Sequence, residues 1–166
     1  MNKTYKYILV LLVSIIVAYY NSGKEETELS GLMPVSRVVD GDTFWAEDGS
    51  KKGVKIRLIG VDAPETRNGN YKKIGFYGQE AKAYLTDLLI NKEVLLEYGV
   101  DSLDRYGRTL AYVYLSDGTF VNEELIKKGY ARVLSIPPNV KYADAFVSYE
   151  RDARESNRGL WQKESE

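Results

Sequence analysis

Apolar residues recur at strand spacing in some segments of this chain and at helical spacing in others. The order of these segments constrains the fold more than any other feature. Residues 53–61 alternate, with Ile56 and Leu58 on one face and Arg57 on the other, which predicts a strand. Residues 78–90 instead carry apolar side chains at helical spacing. The chain therefore combines strands with helices.

The same two patterns recur along the chain and predict six strands and three helices. Strands are expected over 35–40, 43–47, 53–61, 93–98, 108–115 and 131–134, and helices over 78–90, 121–128 and 142–156. Asn122 is expected to open the second helix and Gly129 to end it, and residues 99–107 read as a polar loop. Antiparallel strands followed by interleaved helices predict an α+β fold, a five-stranded barrel of the oligonucleotide/oligosaccharide-binding (OB) type with about three helices.

The N-terminus is organised differently from this domain. Lys3 and Lys6 precede an apolar run over residues 7–20, which is typical of a secretory signal and short for a membrane span. A core helix is the alternative, but the polar residues 21–30 separate the run from the rest.

Three segments follow from this pattern. Residues 1–22 are expected to be a signal peptide or a membrane anchor, 23–32 a linker, and 33–163 the folded domain. Cleavage and retention remain equally open. We expect a monomer that is secreted, or that associates with the membrane through residues 7–20 and is anchored to the outer face of the cell membrane.

Composition limits the chemistry. The chain contains no cysteine and no histidine. Histidine-dependent nucleophiles and histidine bases are therefore excluded, and a zinc site is disfavoured. Oxygen-ligated cations, calcium above all, remain open. The net charge of −1 argues against a protein that merely coats nucleic acid.

Two acidic residues follow strands at positions suited to a cation. Asp42 lies in the turn Asp40-Gly41-Asp42-Thr43, and Asp62 ends the apolar strand 53–61. Carboxylates at the end of a buried strand are costly unless they are paired or bind a cation. The backbone carbonyl of Ala63 adds a third hard oxygen, which calcium accepts. The alternative is a capped turn with solvated acids.

Two arginines and one further acid complete the constellation. Glu65 follows Asp62 by three residues, and Arg108 closes the segment Asp104-Arg105-Tyr106-Gly107-Arg108 at the mouth of a hairpin. Because the planar donors of arginine match phosphate oxygens bidentately, Arg57 and Arg108 suit phosphate binding. Each arginine taken alone fits an ordinary salt bridge equally well.

In this order the motifs resemble the thermonuclease family, the secreted staphylococcal-type nucleases, from about residue 33 to 161. The resemblance implies calcium-dependent hydrolysis of phosphodiester bonds in DNA and RNA, leaving 3′-phosphates. It implies calcium ligands at Asp42 and Asp62, with the carbonyl of Ala63. It further implies Glu65 as general base, and Arg57 and Arg108 as the residues that stabilise the phosphate transition state.

The residues expected to contact the substrate match the family pattern only in part. Tyr106 matches the family pattern, and Lys72 and Lys73 are expected to form a basic flap near the substrate. Tyrosines that pack on the nucleotide in the family have no counterpart in the segment 134–138. The main functional alternative is a non-catalytic OB-fold module that binds nucleic acid or protein, and a third is a membrane-anchored docking domain.

Overall fold

Five strands close into a barrel in the computed structural model, which describes residues 29–66 and 75–162. The strands are β1 (Met33–Asp40), β2 (Thr43–Ala46), β3 (Val54–Leu58), β5 (Glu93–Leu103) and β6 (Thr109–Leu115). Their order around the barrel is β1-β2-β3-β6-β5, and β5 pairs again with β1. Only the β3–β6 pair is parallel. The prediction of a five-stranded barrel is confirmed.

Three helices and a small second sheet surround the barrel. The helices are α1 (Gly78–Leu89), α2 (Val121–Lys127) and α3 (Ala143–Glu155), followed by a 3-10 turn at Gly159–Trp161. The two strands outside the barrel, β4 (Gly60–Asp62) and β7 (Arg132–Leu134), pair antiparallel. The three helices predicted over 78–90, 121–128 and 142–156 are confirmed, and each end agrees to within one residue.

The core forms where the inward faces of the strands meet the apolar helix faces. Phe44, Ile56 and Leu96 from the barrel are fully buried, as are Leu85 and Leu125 from the helices. Burying such side chains contributes roughly 1.5–3 kcal/mol each. The outward side of β2 and β3 is thereby left to polar and aromatic residues.

The strand predicted as continuous over 53–61 is instead two strands. The chain turns at Gly60, whose φ of +75° is readily adopted only by glycine. A Cβ at Gly60 would also lie 2.6 Å from the ring of Phe146. Asp62 therefore leaves the barrel on β4, and Asp62 and Arg132 form the last pair of the β4–β7 ladder.

Two further expectations are corrected by long-range contacts. The predicted loop 99–107 is largely strand, because β5 continues to Leu103. Asn139 supports this extension, accepting from the Asp101 N–H at 3.1 Å and donating to the Asp101 carbonyl at 2.8 Å. Asn122 does not cap α2: it is buried, accepts from Val113 N–H and donates to the Ile59 carbonyl at 2.8 Å.

No helix within residues 29–66 and 75–162 is long and apolar enough to cross a membrane. The apolar run 7–20 and the two lysines of the predicted flap, Lys72 and Lys73, lie outside the described residues.

Candidate active site

Asp42 is held in the turn between β1 and β2 with both carboxylate oxygens engaged. Its Oδ1 accepts a hydrogen bond from Thr43 Oγ1 at 2.9 Å, and its Oδ2 accepts one from the backbone N–H of Ala63 at 2.9 Å. The residue is 7% exposed. The turn lies close to Ala63 and Ala81 because Gly41 has no Cβ; one built there would come within 2.6 and 2.9 Å of their Cβ atoms.

Arg57 links the two predicted metal-binding acids. Its Nη2 lies 3.2 Å from Asp42 Oδ2 and 3.2 Å from Asp62 Oδ1. Its Nη1 donates to the carbonyl oxygens of Leu58 at 3.1 Å and Val61 at 2.5 Å. Two backbone carbonyls therefore orient the guanidinium. Both carbonyls and Asp62 lie within five residues of Arg57 in the chain.

The two acids differ in exposure. The side chain of Asp42 is 11% exposed and that of Asp62 is 52% exposed. A ligand approaching from solvent therefore meets Asp62 first and Asp42 at the base of the site.

A further acid, Asp40, lies beside this group. Burial raises the pKa of Asp40 above its usual value, and the nearby charges of Asp42 and Glu65 raise it further, against hydrogen bonds from the Gly41 N–H and the Thr66 side chain. In the sequence analysis Asp40 is only a residue of the turn. The pattern Asp40-Gly41-Asp42, with one acid on each side of a glycine, could have indicated that both acids flank the site.

The backbone at Glu65 is held against the start of α1. The N–H of Gly75 donates to the Glu65 carbonyl at 2.9 Å. A Cβ on Gly78 would lie 2.5 Å from the same oxygen. Glu65 is therefore located close to the Asp40–Asp42 turn by packing of α1, as well as by its three-residue spacing from Asp62.

The second predicted arginine, Arg108, is anchored by Asp104, an acid to which the sequence motif alone assigns no separate role. Asp104 Oδ2 accepts from Nε of Arg108 at 2.6 Å, while its Oδ1 accepts from the backbone N–H groups of Tyr106 and Arg108. Burial raises the pKa of Asp104, but these hydrogen bonds from Arg108 and Tyr106 outweigh it and the pKa is lowered. Among the described residues, none accepts a hydrogen bond from Nη1 or Nη2 of Arg108.

Tyr106 projects from the tip of the same hairpin. It is 68% exposed. The guanidinium carbons of Arg105 and Arg108 lie 4.8 and 5.4 Å from its ring centroid. An exposed ring between two cations is suited to contact with a nucleotide.

The register of β3 and β6 relates the two arginines. Arg57 is paired with Leu110. Arg108 precedes Leu110 by two residues, so it projects from the same face of the sheet as Arg57. The structure thus brings Asp42, Arg57 and Asp62 into direct contact, with Ala63 hydrogen-bonded to Asp42, and places Arg108 directly before the neighbouring strand β6.

Comparison with known proteins identifies the family of this chain. The model of the staphylococcal nuclease homologue family matches residues 55–163. The chain is 37% identical to a thermonuclease of Staphylococcus intermedius, over 98% of this chain and 100% of that protein. It is 41% identical to a thermonuclease of Staphylococcus hyicus, over 76% of this chain and 73% of that protein.

A relative outside the staphylococci carries a similar name. The chain is 38% identical to Endonuclease YncB of Bacillus subtilis, over 78% of this chain and 61% of that protein. The family match spans two thirds of the chain and includes Arg57, Asp62, Glu65 and Arg108. This chain belongs to the staphylococcal nuclease family, a family of enzymes that hydrolyse phosphodiester bonds.

Proposed function

We propose that this enzyme hydrolyses the phosphodiester bonds of DNA and RNA in a calcium-dependent reaction that leaves 3′-phosphates. The observation that carries the proposal is the contact of one arginine, Arg57, with both Asp42 and Asp62 at 3.2 Å. Carboxylates for a cation and an oriented guanidinium for a phosphate lie within one group of side chains. We also propose that the barrel is of the OB type, which its closed five-strand order and the family match support.

The donor set fits a hard divalent cation. Asp42 and Asp62 offer carboxylate oxygens and Ala63 a backbone carbonyl, all ligands that calcium prefers. No three acidic side chains converge as ligands within the described ranges, so water would complete the coordination. Asp42 and Asp62 together carry more negative charge than the single guanidinium of Arg57 that contacts both, which favours a cation. When bound, calcium would supply positive charge next to the phosphate under attack.

Glu65 is proposed to remove a proton from the attacking water. The chain contains no histidine, so proton transfer depends on a carboxylate, a lysine or a tyrosine. Glu65 is the acid that packing against α1 locates next to the Asp40–Asp42 turn. A positioned general base contributes typically about 10²–10⁴-fold to the rate.

Arg57 and Arg108 are proposed to bind the phosphate and to stabilise the charge that develops in the transition state. Each guanidinium is anchored: Arg57 by backbone carbonyls at Nη1 and by two acids at Nη2, and Arg108 by Asp104 at Nε. Anchored donors lose little freedom when they bind, which is the basis of electrostatic preorganisation. Tyr106, together with Lys72 and Lys73, is proposed to contact the substrate beside them.

We propose that the chain is exported as a monomer and that residues 1–22 direct this export, either as a cleaved signal or as an anchor. The basic start followed by the apolar run 7–20 supports it. N-terminal sequencing of the mature protein distinguishes the two outcomes, because a start near residue 23 shows cleavage and a start at Met1 shows retention.

Digestion of heat-denatured DNA and of RNA by the full-length chain tests the enzymatic proposal. We expect cleavage with calcium, its loss when a chelator is added, and 3′-phosphate ends on the products. Cleavage that persists in excess chelator would contradict the calcium requirement, and no cleavage under any condition would contradict the reaction itself.

Glu65→Gln tests the general base separately. The amide retains the size of the side chain but cannot accept a proton. We expect the calcium concentration for half-maximal rate to stay within about threefold of wild type while turnover falls by about 10²-fold or more. Unchanged turnover would remove Glu65 from this role.

A further inference from the structure

A row of outward-facing cations crosses the barrel next to the catalytic group. Arg37 on β1 is paired with Trp45 on β2, and Trp45 is paired with Lys55 on β3. The β3–β6 ladder begins at Ile56 and Thr109, and Lys55 and Arg108 are the residues that immediately precede this pair. Arg37, Trp45 and Lys55 therefore form one row across β1, β2 and β3, which Arg108 continues just before β6; these four residues are here called the Trp45 row.

The Trp45 row runs parallel to the row that contains the site. Asp40, Thr43 and Arg57 are aligned across β1, β2 and β3 in the same way. The two rows are separated by two residues along β2 and β3, or roughly 6.7 Å, and by three residues along β1, where the register shifts. Successive phosphates of a stacked strand rise by about 3.4 Å, so this separation spans about two nucleotides.

The side chains of the Trp45 row suit a nucleic-acid strand. The Arg37 guanidinium carbon lies 5.2 Å from the centroid of the Trp45 ring, and Lys52 Nζ from the adjacent turn lies 5.8 Å from it. Arg37 and Lys52 are exposed, and Trp45 and Lys55 are half-buried. Cations interleaved with an aromatic ring are the arrangement by which proteins bind single strands, through phosphate contacts and base stacking.

The local charge is positive although the chain as a whole carries −1. Arg37, Lys52 and Lys55 border Trp45, and Lys51 precedes Lys52 in the same turn. None of the four forms an ion pair with a described carboxylate. The acids that follow Trp45 in the chain are Glu47 and Asp48, which are exposed; Asp48 accepts a hydrogen bond from the Ser50 N–H. Four cations against these two acids give the Trp45 end of the row a net positive charge, while Arg108 at the other end is paired with Asp104.

We propose that the Trp45 row binds the nucleotides that flank the scissile phosphate of a single-stranded substrate. Arg37 and Lys55 contact phosphates, and a base stacks on Trp45 in place of Lys52, whose flexible side chain then reaches an adjoining phosphate. The inference rests on the proposed nuclease function and extends it. It assigns a second site, which binds the nucleotides next to the cleaved bond and therefore favours longer strands.

Binding of a labelled, cleavage-resistant 12-nucleotide phosphorothioate strand to the full-length chain, followed by fluorescence anisotropy, tests the proposal apart from catalysis. We expect Trp45→Ala to weaken binding at least about 5-fold. Arg37→Ala/Lys55→Ala should lower the slope of log Kd against log salt by about 1.4, because two phosphate contacts are lost.

The control variant is Lys128→Ala/Arg151→Ala, which removes two exposed cations, one directly after α2 and one on α3. We expect it to bind as wild type does. Thermal unfolding of every variant shows whether it is folded. If Trp45→Ala does not fold, the Arg37→Ala/Lys55→Ala variant alone tests the proposal. Wild-type affinity and salt slope in Arg37→Ala/Lys55→Ala would overturn the proposal and would show that these cations only cover Trp45.

Cleavage assays separate this inference from the proposed function. We expect Arg37→Ala/Lys55→Ala to lower kcat/KM on the corresponding cleavable 12-nucleotide strand while the value on a dinucleotide stays within about twofold of wild type. An equal loss on both substrates would overturn the flanking-strand assignment. Failure of the wild-type chain to cleave either substrate would contradict the proposed function, whereas the anisotropy result would still decide whether the row binds a strand.

Discussion

Arg57 Nη2 lies 3.2 Å from Oδ2 of Asp42, a carboxylate that is almost fully withdrawn from water. The same nitrogen lies 3.2 Å from Asp62, while Nη1 is held by two backbone carbonyls. The guanidinium is therefore oriented before any phosphate binds, and the acids that would hold a cation are its immediate neighbours.

Arg57→Lys tests whether this orientation is used in the reaction. Lysine keeps the charge but loses the planar fork, so it cannot bind two carbonyls and a phosphate together. We expect kcat/KM for denatured DNA to fall roughly 10–100-fold, the value of one charged hydrogen bond. Arg151→Lys on α3 is the matched control, and wild-type kcat/KM in Arg57→Lys would refute the assigned role.

Asp104→Asn tests the positioning of Arg108. The amide weakens the charge-assisted contact to Nε of Arg108, so we expect kcat to fall about 10-fold with a smaller change in KM. If Asp104 acts through Arg108, the substitution Asp104→Asn should cause almost no further loss of kcat in an Arg108→Ala background. Additive losses in the double variant would show that Asp104 acts independently.

The lowered pKa of Asp104 predicts how its contribution to stability depends on pH. A carboxyl group with a lowered pKa in the folded state stabilises the fold above the unfolded value of 3.8, and that stabilisation is lost as pH falls through the lowered pKa. The difference in unfolding free energy between wild type and Asp104→Asn should therefore be largest near neutrality and smallest below pH 3.8. Urea unfolding across this range measures it, and a difference that grows toward acid pH would contradict the sign.

Gly41→Ala tests the packing that holds the Asp42 turn. The added Cβ would meet the Cβ atoms of Ala63 and Ala81 at 2.6 and 2.9 Å. We expect a loss of about 1–3 kcal/mol in stability and a higher calcium requirement for cleavage, since the turn must move away from Ala63. Gly31→Ala, where nothing lies within 4 Å, is the control. Identical behaviour of the two variants would show that this contact does not position Asp42.

Glu97→Gln should separate stability from catalysis. Glu97 is 5% exposed and accepts hydrogen bonds from Lys141 Nζ and from the hydroxyls of Tyr114 and Tyr142. Burial raises the pKa of Tyr114, and its contacts with Tyr142 and Glu97 raise it further, so its hydroxyl remains a donor. We expect urea unfolding to show a loss of roughly 1–3 kcal/mol. The calcium concentration for half-maximal cleavage should not change; a shift would link this cluster to the active site.

Local sequence patterns were sufficient to predict the barrel and to single out three side chains that lie in direct contact. Asp42, Arg57 and Asp62 were identified because alternation in a strand and a glycine turn are local features. Contacts over long separations were not predictable from such patterns. Asn122 bonds to Ile59 63 residues away, and Asn139 extends β5 from 38 residues away.

Two aspects of the site also needed the structure. The sequence analysis assigned Asp104 no role of its own, and its bond to the Nε of Arg108 depends on the geometry of the hairpin tip. The ring of Phe146, from a helix near the other end of the chain, packs where a Cβ at Gly60 would lie. Because Gly60 turns the chain, Asp62 reaches Arg57 from β4 rather than from the barrel strand expected for it.

The calcium dependence of cleavage in Asp42→Asn tests the central claim most directly. Asp117→Asn, in the exposed Asp117-Gly118-Thr119 turn, is the matched control because it removes one turn carboxylate far from the site. We predict that Asp117→Asn reaches half-maximal cleavage of denatured DNA at the wild-type calcium concentration, while Asp42→Asn requires at least about 10-fold more calcium or does not cleave. Half-maximal cleavage by Asp42→Asn at the wild-type calcium concentration would contradict the assignment of this buried carboxylate to the metal.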